Sequence, residues 1–158
     1  MEIWQLTATE LASSISKGEI SAVDATQSHL SRMNEANQKI NAIVESCQGE
    51  ALREAEQVDS NLRKGLKLGP LAGVPVTVKV NVDQEGYATT NGLQLQKDLV
   101  AKKDNPVVNN LRKAGAIIIG RTNTPAFSLR WFTRNVIHGH TKNPLNPSVT
   151  PGGSSGGA

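Results

Sequence analysis

Two segments of the sequence hold residue types that can do chemistry. The first is Val74-Pro75-Val76-Thr77-Val78-Lys79-Val80, one cation inside a run of valines. Burial disfavours the charged form of a lysine, so a desolvated Lys79 titrates below its usual range and can act as a general base. By pattern alone Lys79 fits equally well on the wet face of a half-buried strand, beside Thr77. The second segment is Pro151-Gly152-Gly153-Ser154-Ser155-Gly156-Gly157. Glycines and serines in this density can fold a loop whose backbone N–H groups point into a cavity. They can equally be a floppy tail. Gly153, Ser155 and Gly157 match the Gly-x-Ser-x-Gly nucleophile elbow. That motif needs a strand just before it and triad partners after it, and neither is present. A phosphate loop needs a lysine after its second glycine, which is also missing.

Other reactive residue types read as ordinary. His138 and His140 flank Gly139. On one strand they would share a face, but no third metal ligand lies near, so they read as loop histidines. Cys47, the one cysteine, falls between Ser46 and Gln48 in a stretch that reads as helical, and as an unreactive thiol. It allows no internal disulfide and fits a reducing compartment.

The elements that must position these residues are legible in outline. Leu6, Leu11 and Ile15 recur at helical spacing, with Thr7 or Thr9 as N-cap and Gly18 as C-cap. Ser21 and Asp24 resemble a capping box opening a second helix, whose apolar side is Val23, Ala25, Leu30 and Met33. A third helix is expected over 48–66. Residues 74–80 alternate as a strand, with Val74, Val76, Val78 and Val80 on one face. Residues 82–104 read as polar loop. Pro106 opens a helix over 105–114 that Gly115 stops, and 116–120 is an apolar run fit for a strand buried on both faces. From Arg121 onward regular signal is scarce. Strand, helix, strand with helices outside argues for an α/β architecture.

Several motifs in this order resemble the amidase signature family. They are Gly69 to Lys79, then Ala114 through Gly120-Arg121-Thr122-Asn123, then Asn143-Pro144 and Pro151 to Gly157. The likeness covers the second half of the chain in motif detail, and the helical first half looks like the family's N-terminal region. It implies an α/β fold of N-terminal helices followed by part of a mixed central sheet flanked by helices. Residues 1–158 would then be the N-terminal part of a single amidase domain, with a helical region over 1–66 and a sheet region over 67–158. It further implies hydrolysis of a small carboxylic amide by a Ser–cis-Ser–Lys triad through an acyl-enzyme, without cofactor or metal. Lys79 matches the family's lysine and Ser154 its cis-serine. Gly153 and Ser155 are their loop neighbours, and Ser128 and Trp131 fall near the acyl pocket. Trp131 and Phe132 line that pocket or pack in the core. The family's nucleophilic serine lies in a second glycine-rich turn beyond Ala158. The 158-residue chain is therefore expected to be inactive alone and poorly soluble, with Ile117, Ile118 and Ile119 short of covering partners.

One competing subfamily is the amidase-like subunits of the glutamyl-tRNA amidotransferases, which carry Lys-Asp-Asn where this chain has Lys79-Val80-Asn81. The stretch from Thr124 to Trp131 also differs from the Met-Asp-Glu-Phe typical there, and looks more like stand-alone amidases, including indoleacetamide-hydrolase-like ones. A non-catalytic scaffold is the other alternative. Stand-alone relatives are often dimers, which points to a homodimer for an intact protein.

Composition narrows the field. The chain has 158 residues, 17 Lys plus Arg against 14 Asp plus Glu, a net charge of +3, and 37% hydrophobic residues. These values suit a globular domain and exclude collagen-like, coiled-coil and wholly disordered classes. Basic residues are scattered and aromatics few, which argues against a nucleic-acid platform. The N-terminus does not read as a signal peptide and no apolar run is long enough to span a membrane, so the expectation is a cytoplasmic protein.

Overall fold

The structure, a computed structural model, describes residues 2–158. Its helices are α1 (Ala8–Ser16), α2 (Ala22–Ile40), α3 (Gln48–Arg63) and α4 (Pro106–Lys113). Its strands are β1 (Ile43–Ser46), β2 (Pro75–Lys79), β3 (Ile117–Thr122), β4 (Arg134–Asn135) and β5 (Gly139–His140). The chain divides into two compact units. One takes the segments up to Asn34, Cys47–Val76 and Asn109–Ile119; the other takes Glu35–Ser46, Thr77–Val108 and Gly120–Ala158. Each unit draws on sequence from before and after Leu66.

In the first unit, α1 starts where the sequence says it should. Thr7 is its N-cap: the hydroxyl accepts from the Glu10 N–H at 3.3 Å, and the Glu10 carboxylate accepts from the Thr7 N–H at 2.8 Å. The bonds from the Thr7 backbone and side chain hold the Glu10 carboxyl below its usual range. Leu11 and Ile15 are buried, whereas Leu6 falls outside the helix. Gly18 ends it at φ 72°. Ser21 accepts from the Asp24 N–H at 2.9 Å and opens α2.

The start of α2 has a second anchor that its own sequence does not reveal. Asp59 of α3 is 9% exposed, and its carboxylate accepts from the N–H groups of Ala22 at 2.7 Å and Val23 at 3.2 Å. These are helix-end donors with no intrahelical partner. Asp59→Ala leaves them unpaired and is expected to destabilise the fold by about 1–3 kcal/mol. The measurement is the urea midpoint at unchanged m-value, with Asp59→Asn recovering most of the loss.

The main sheet has strand order β1–β3–β2. β3 is the continuous apolar run, and all six of its residues are buried. In β2 the alternation is kept with one exception. Val74, Val78 and Val80 are buried and Thr77 is exposed, but Val76 is only half-buried. Ile117, Ile118 and Ile119 are 1%, 2% and 6% exposed. This corrects the expectation that the isoleucines lack cover: the 158 residues bury them unaided.

Four further readings change. Ile43-Val44-Glu45-Ser46 is a strand and not part of the helical first third; it runs antiparallel to β3, with Glu45 opposite Arg121 and Ser46 opposite Gly120. Cys47 accordingly sits at the turn into α3 rather than inside a helix, and is buried. α3 ends at Arg63, three residues short of the expected 66. β3 also runs past Gly120 to Thr122, which places a charged side chain in the interior.

Candidate active site

The second unit holds the candidate site. Lys79 is the last residue of β2. Its Nζ lies 3.0 Å from Ser154 Oγ and 3.0 Å from Ser155 Oγ. Partial burial pushes the Lys79 ammonium below its usual range, because the charged form loses water. The two residues that the motifs mark for catalysis, 75 positions apart in sequence, are thus within hydrogen-bond reach of each other. The peptide bond between Gly153 and Ser154 is cis.

The glycine-serine segment is a bedded loop and not a floppy tail. Thr133, fully buried, holds it from both ends: its hydroxyl donates to the Gly152 carbonyl at 3.1 Å and accepts from the Gly156 N–H at 2.9 Å. The glycines are needed for contact. A Cβ on Gly153 would run into the Arg130 carbonyl and lie 2.6 Å from the Phe132 nitrogen. A Cβ on Gly157 would lie 2.6 Å from the Ala42 carbonyl oxygen and 2.8 Å from the Asn123 nitrogen. Both approaches are far inside van der Waals contact, so the loop fits its bed only without side chains there. Nothing in the spacing of the sequence marks Thr133; its role appears only when the loop is folded against it.

Ser128 is tied into a polar chain beside the lysine strand. Asn81 Nδ2 donates to Ser128 Oγ at 3.0 Å, and Thr124 Oγ1 lies 2.9 Å from the same hydroxyl. Phe127 and Ser128 both take left-handed backbone, at φ 54° and 57°. That is uncommon for two consecutive residues with side chains. Trp131 is 88% exposed and Phe132 42% exposed, so neither packs in the core. Arg121, which the sequence shows only as part of a motif, is the largest fully buried side chain. It donates to Glu45 Oε2 at 2.7 Å, to the Ala88 carbonyl at 2.7 Å and to the Val82 carbonyl at 3.0 Å. It thereby fixes the chain that follows Lys79.

His138 is half-buried, with Nε2 3.2 Å from Thr90 Oγ1, and burial lowers its imidazole pKa. His140 lies in β5 rather than in a loop. Among the described residues no group of three or more His, Cys, Asp or Glu is placed to hold a metal.

Comparison with known proteins identifies the family. The amidase family model matches residues 24–158. The chain belongs to the amidase signature family. It is 51% identical over 156 residues to an indoleacetamide hydrolase of Bradyrhizobium diazoefficiens, covering 99% of this chain and 30% of that protein. It is 38% identical over 157 residues to a glutamyl-tRNA(Gln) amidotransferase subunit of Streptomyces coelicolor, covering 99% and 32%. Among solved structures it superposes on a fatty acid amide hydrolase with a TM-score of 0.95 at 32% identity, covering 98% of this chain and 27% of the other. A bacterial aryl acylamidase of the amidase signature family gives 0.93 at 28% identity, covering 99% and 33%. The chain spans about a third of the length of these relatives. Its α/β architecture is that of the amidase signature fold over this third. No helix among the described residues is long and apolar enough to cross a membrane.

Proposed function

We propose that this segment supplies the lysine and the relay serine of an amidohydrolase that cleaves the C–N bond of a small carboxylic amide. The observation that carries the reading is the 3.0 Å approach of Lys79 Nζ to Ser154 Oγ, with the lysine partly desolvated. Neutral Lys79 accepts the proton of the Ser154 hydroxyl, and Ser154 in turn accepts that of the nucleophilic serine. The serine oxygen adds to the amide carbonyl. The C–N bond then breaks, and the departing amine takes a proton back through the same relay. Water releases the acid from the acyl-enzyme in a second passage. The nucleophile in this reading is a serine outside residues 1–158, so these residues alone are expected to give no amide turnover. A cytoplasmic setting suits a single buried cysteine.

A stand-alone amidase is favoured over an amidotransferase component by the higher identity to the indoleacetamide hydrolase, 51% against 38%. The Lys79-Val80-Asn81 run, without the aspartate typical of the amidotransferases, points the same way. Ammonia release from primary amides, indole-3-acetamide among them, by an active polypeptide containing this segment tests the proposal. Ser154→Ala is expected to lower kcat by about 10²–10⁴-fold, the range for loss of a proton-transfer group. Ser155→Ala, an exposed position, is expected to cost less than about tenfold. Equal effects of the two substitutions would remove Ser154 from the relay.

A further inference from the structure

A second feature of the lysine-bearing unit is not used by this chemistry. A cavity of about 600 Å³ opens between the Gly92–Gln94 segment and residues 126–136. That volume is within the range of small-molecule pockets, ~300–1,000 Å³. Its wall combines two kinds of side chain. Leu93, Phe132 and Val136 supply apolar surface, with Phe132 42% and Val136 81% exposed. Arg130 and Arg134 supply two guanidinium groups, and no carboxylate is among the lining residues.

The two arginines differ from others in the chain. Arg121 and Arg112 are each committed to a glutamate, Glu45 and Glu54. Arg130 and Arg134 make no side-chain hydrogen bond or ion pair among the described residues. Their backbone is nonetheless firmly held. Asn135, next to Arg134, donates to Asn123 Oδ1 and the Thr124 carbonyl, both at 2.7 Å, and accepts from the N–H groups of Ile137 and His138. The Arg130 carbonyl abuts Gly153. On the opposite wall Gly92 is pressed against Pro125 and Ala126, where a Cβ would lie 2.9 Å from the Pro125 carbonyl carbon. Rigid backbone thus presents two unpaired planar cations beside open apolar surface.

We propose that this cavity is a binding site for an organic monocarboxylate with an apolar or aromatic body. The carboxylate pairs with the Arg130 and Arg134 guanidinium groups, whose planar fork matches it in two parallel hydrogen bonds. The body covers Leu93, Phe132 and Val136 and removes their surface from water. The arginine pairing uses neither Lys79, Ser154 nor Ser155, although Phe132 is also a residue that the resemblance puts at the acyl pocket.

The test is a titration of the protein with phenylbutyrate, followed by amide chemical shifts, alongside phenylbutanol as the neutral probe of the same body and inorganic phosphate as the anion without one. Phenylbutyrate is expected to move the signals of Gly92, Arg130, Phe132 and Arg134 and to bind at least about tenfold more tightly than either comparison probe. Arg130→Gln and Arg134→Gln should each weaken phenylbutyrate by about tenfold and leave phenylbutanol unchanged, since only the charge-assisted bond is lost. Phe132→Ala should weaken phenylbutyrate and phenylbutanol alike. Both arginines are exposed and unpaired, so the variants keep the fold. Equal binding of phenylbutyrate and phenylbutanol, unchanged affinity in the double arginine variant, or phosphate binding as tightly as phenylbutyrate would each overturn the assignment.

Discussion

Lys79→Ala is expected to lower amide turnover by about 10³-fold or more in an active polypeptide containing this segment, with KM changed far less. Lys79 Nζ is the group that reaches both serine hydroxyls, at 3.0 Å each, so its loss leaves the relay with no proton acceptor. The pH dependence follows from burial. Desolvation lowers the Lys79 pKa, so its neutral form is more populated near neutrality than that of a free lysine. Turnover should rise with pH as the ammonium deprotonates and level off above the lowered pKa. Lys79→Arg keeps a side chain of similar reach but holds its proton throughout, and should be inactive at every pH. The same shift bears on stability with a definite sign. The folded state gives up the Lys79 proton more readily than the unfolded chain. The contribution is therefore fully present above the unfolded value and lost as pH falls through the lowered folded one. The thermal midpoint of Lys79→Met, measured against the native chain, should show its largest advantage at low pH and lose it as pH rises. A Lys79→Ala enzyme within tenfold of the native rate, or one with the native pH profile, would refute the assignment.

What the sequence made legible was local. Thr7 and Gly18 mark the ends of α1 because capping bonds reach only three or four residues. The isoleucines of β3 announce a buried strand because an unbroken apolar run suits no half-exposed element. β1 is not legible because four residues, Ile43-Val44-Glu45-Ser46, show too little alternation to stand out beside two long helices. The lysine and the serine loop are recognisable from their own motifs, but the distance between them is not. Nor are Thr133 and Asp59, each an ordinary polar residue until the fold brings it to unpaired backbone groups 19 to 23 and 36 to 37 positions away. Trp131 and Phe132 stay ambiguous because an aromatic pair in a loop carries no periodicity from which to read its face.

Glu45→Ala is expected to destabilise the fold by about 3–5 kcal/mol, the cost of stripping the partner from a buried charge. The reason is an asymmetry within the pair. The Arg121 side chain is 0% exposed while that of Glu45 is 26% exposed. Without the carboxylate the guanidinium keeps the Ala88 and Val82 carbonyls and the face of Tyr87, 5.6 Å from the ring centroid, but no counter-charge, and it has no route to water. Removing the arginine instead leaves a carboxylate that solvent can reach, and two carbonyls without a donor. Arg121→Met combined with Glu45→Leu should therefore be less damaging than Glu45→Ala alone, because an apolar pair of similar volume carries no stranded charge. Denaturant midpoints of the native chain and the two variants decide this, and a loss under about 1 kcal/mol for Glu45→Ala would show that the charge finds water after all. The consequence reaches the candidate site. Val80, next to Lys79, donates its N–H to the Thr122 carbonyl at 3.0 Å, one residue from Arg121, and Arg121 holds the Val82 carbonyl. The lysine at the end of β2 is thus aimed by a strand whose exit is fixed through Arg121. Loosening the ion pair should reduce turnover even in variants that remain folded, through the position of Lys79 rather than its proton affinity, leaving the pH profile unshifted while kcat falls.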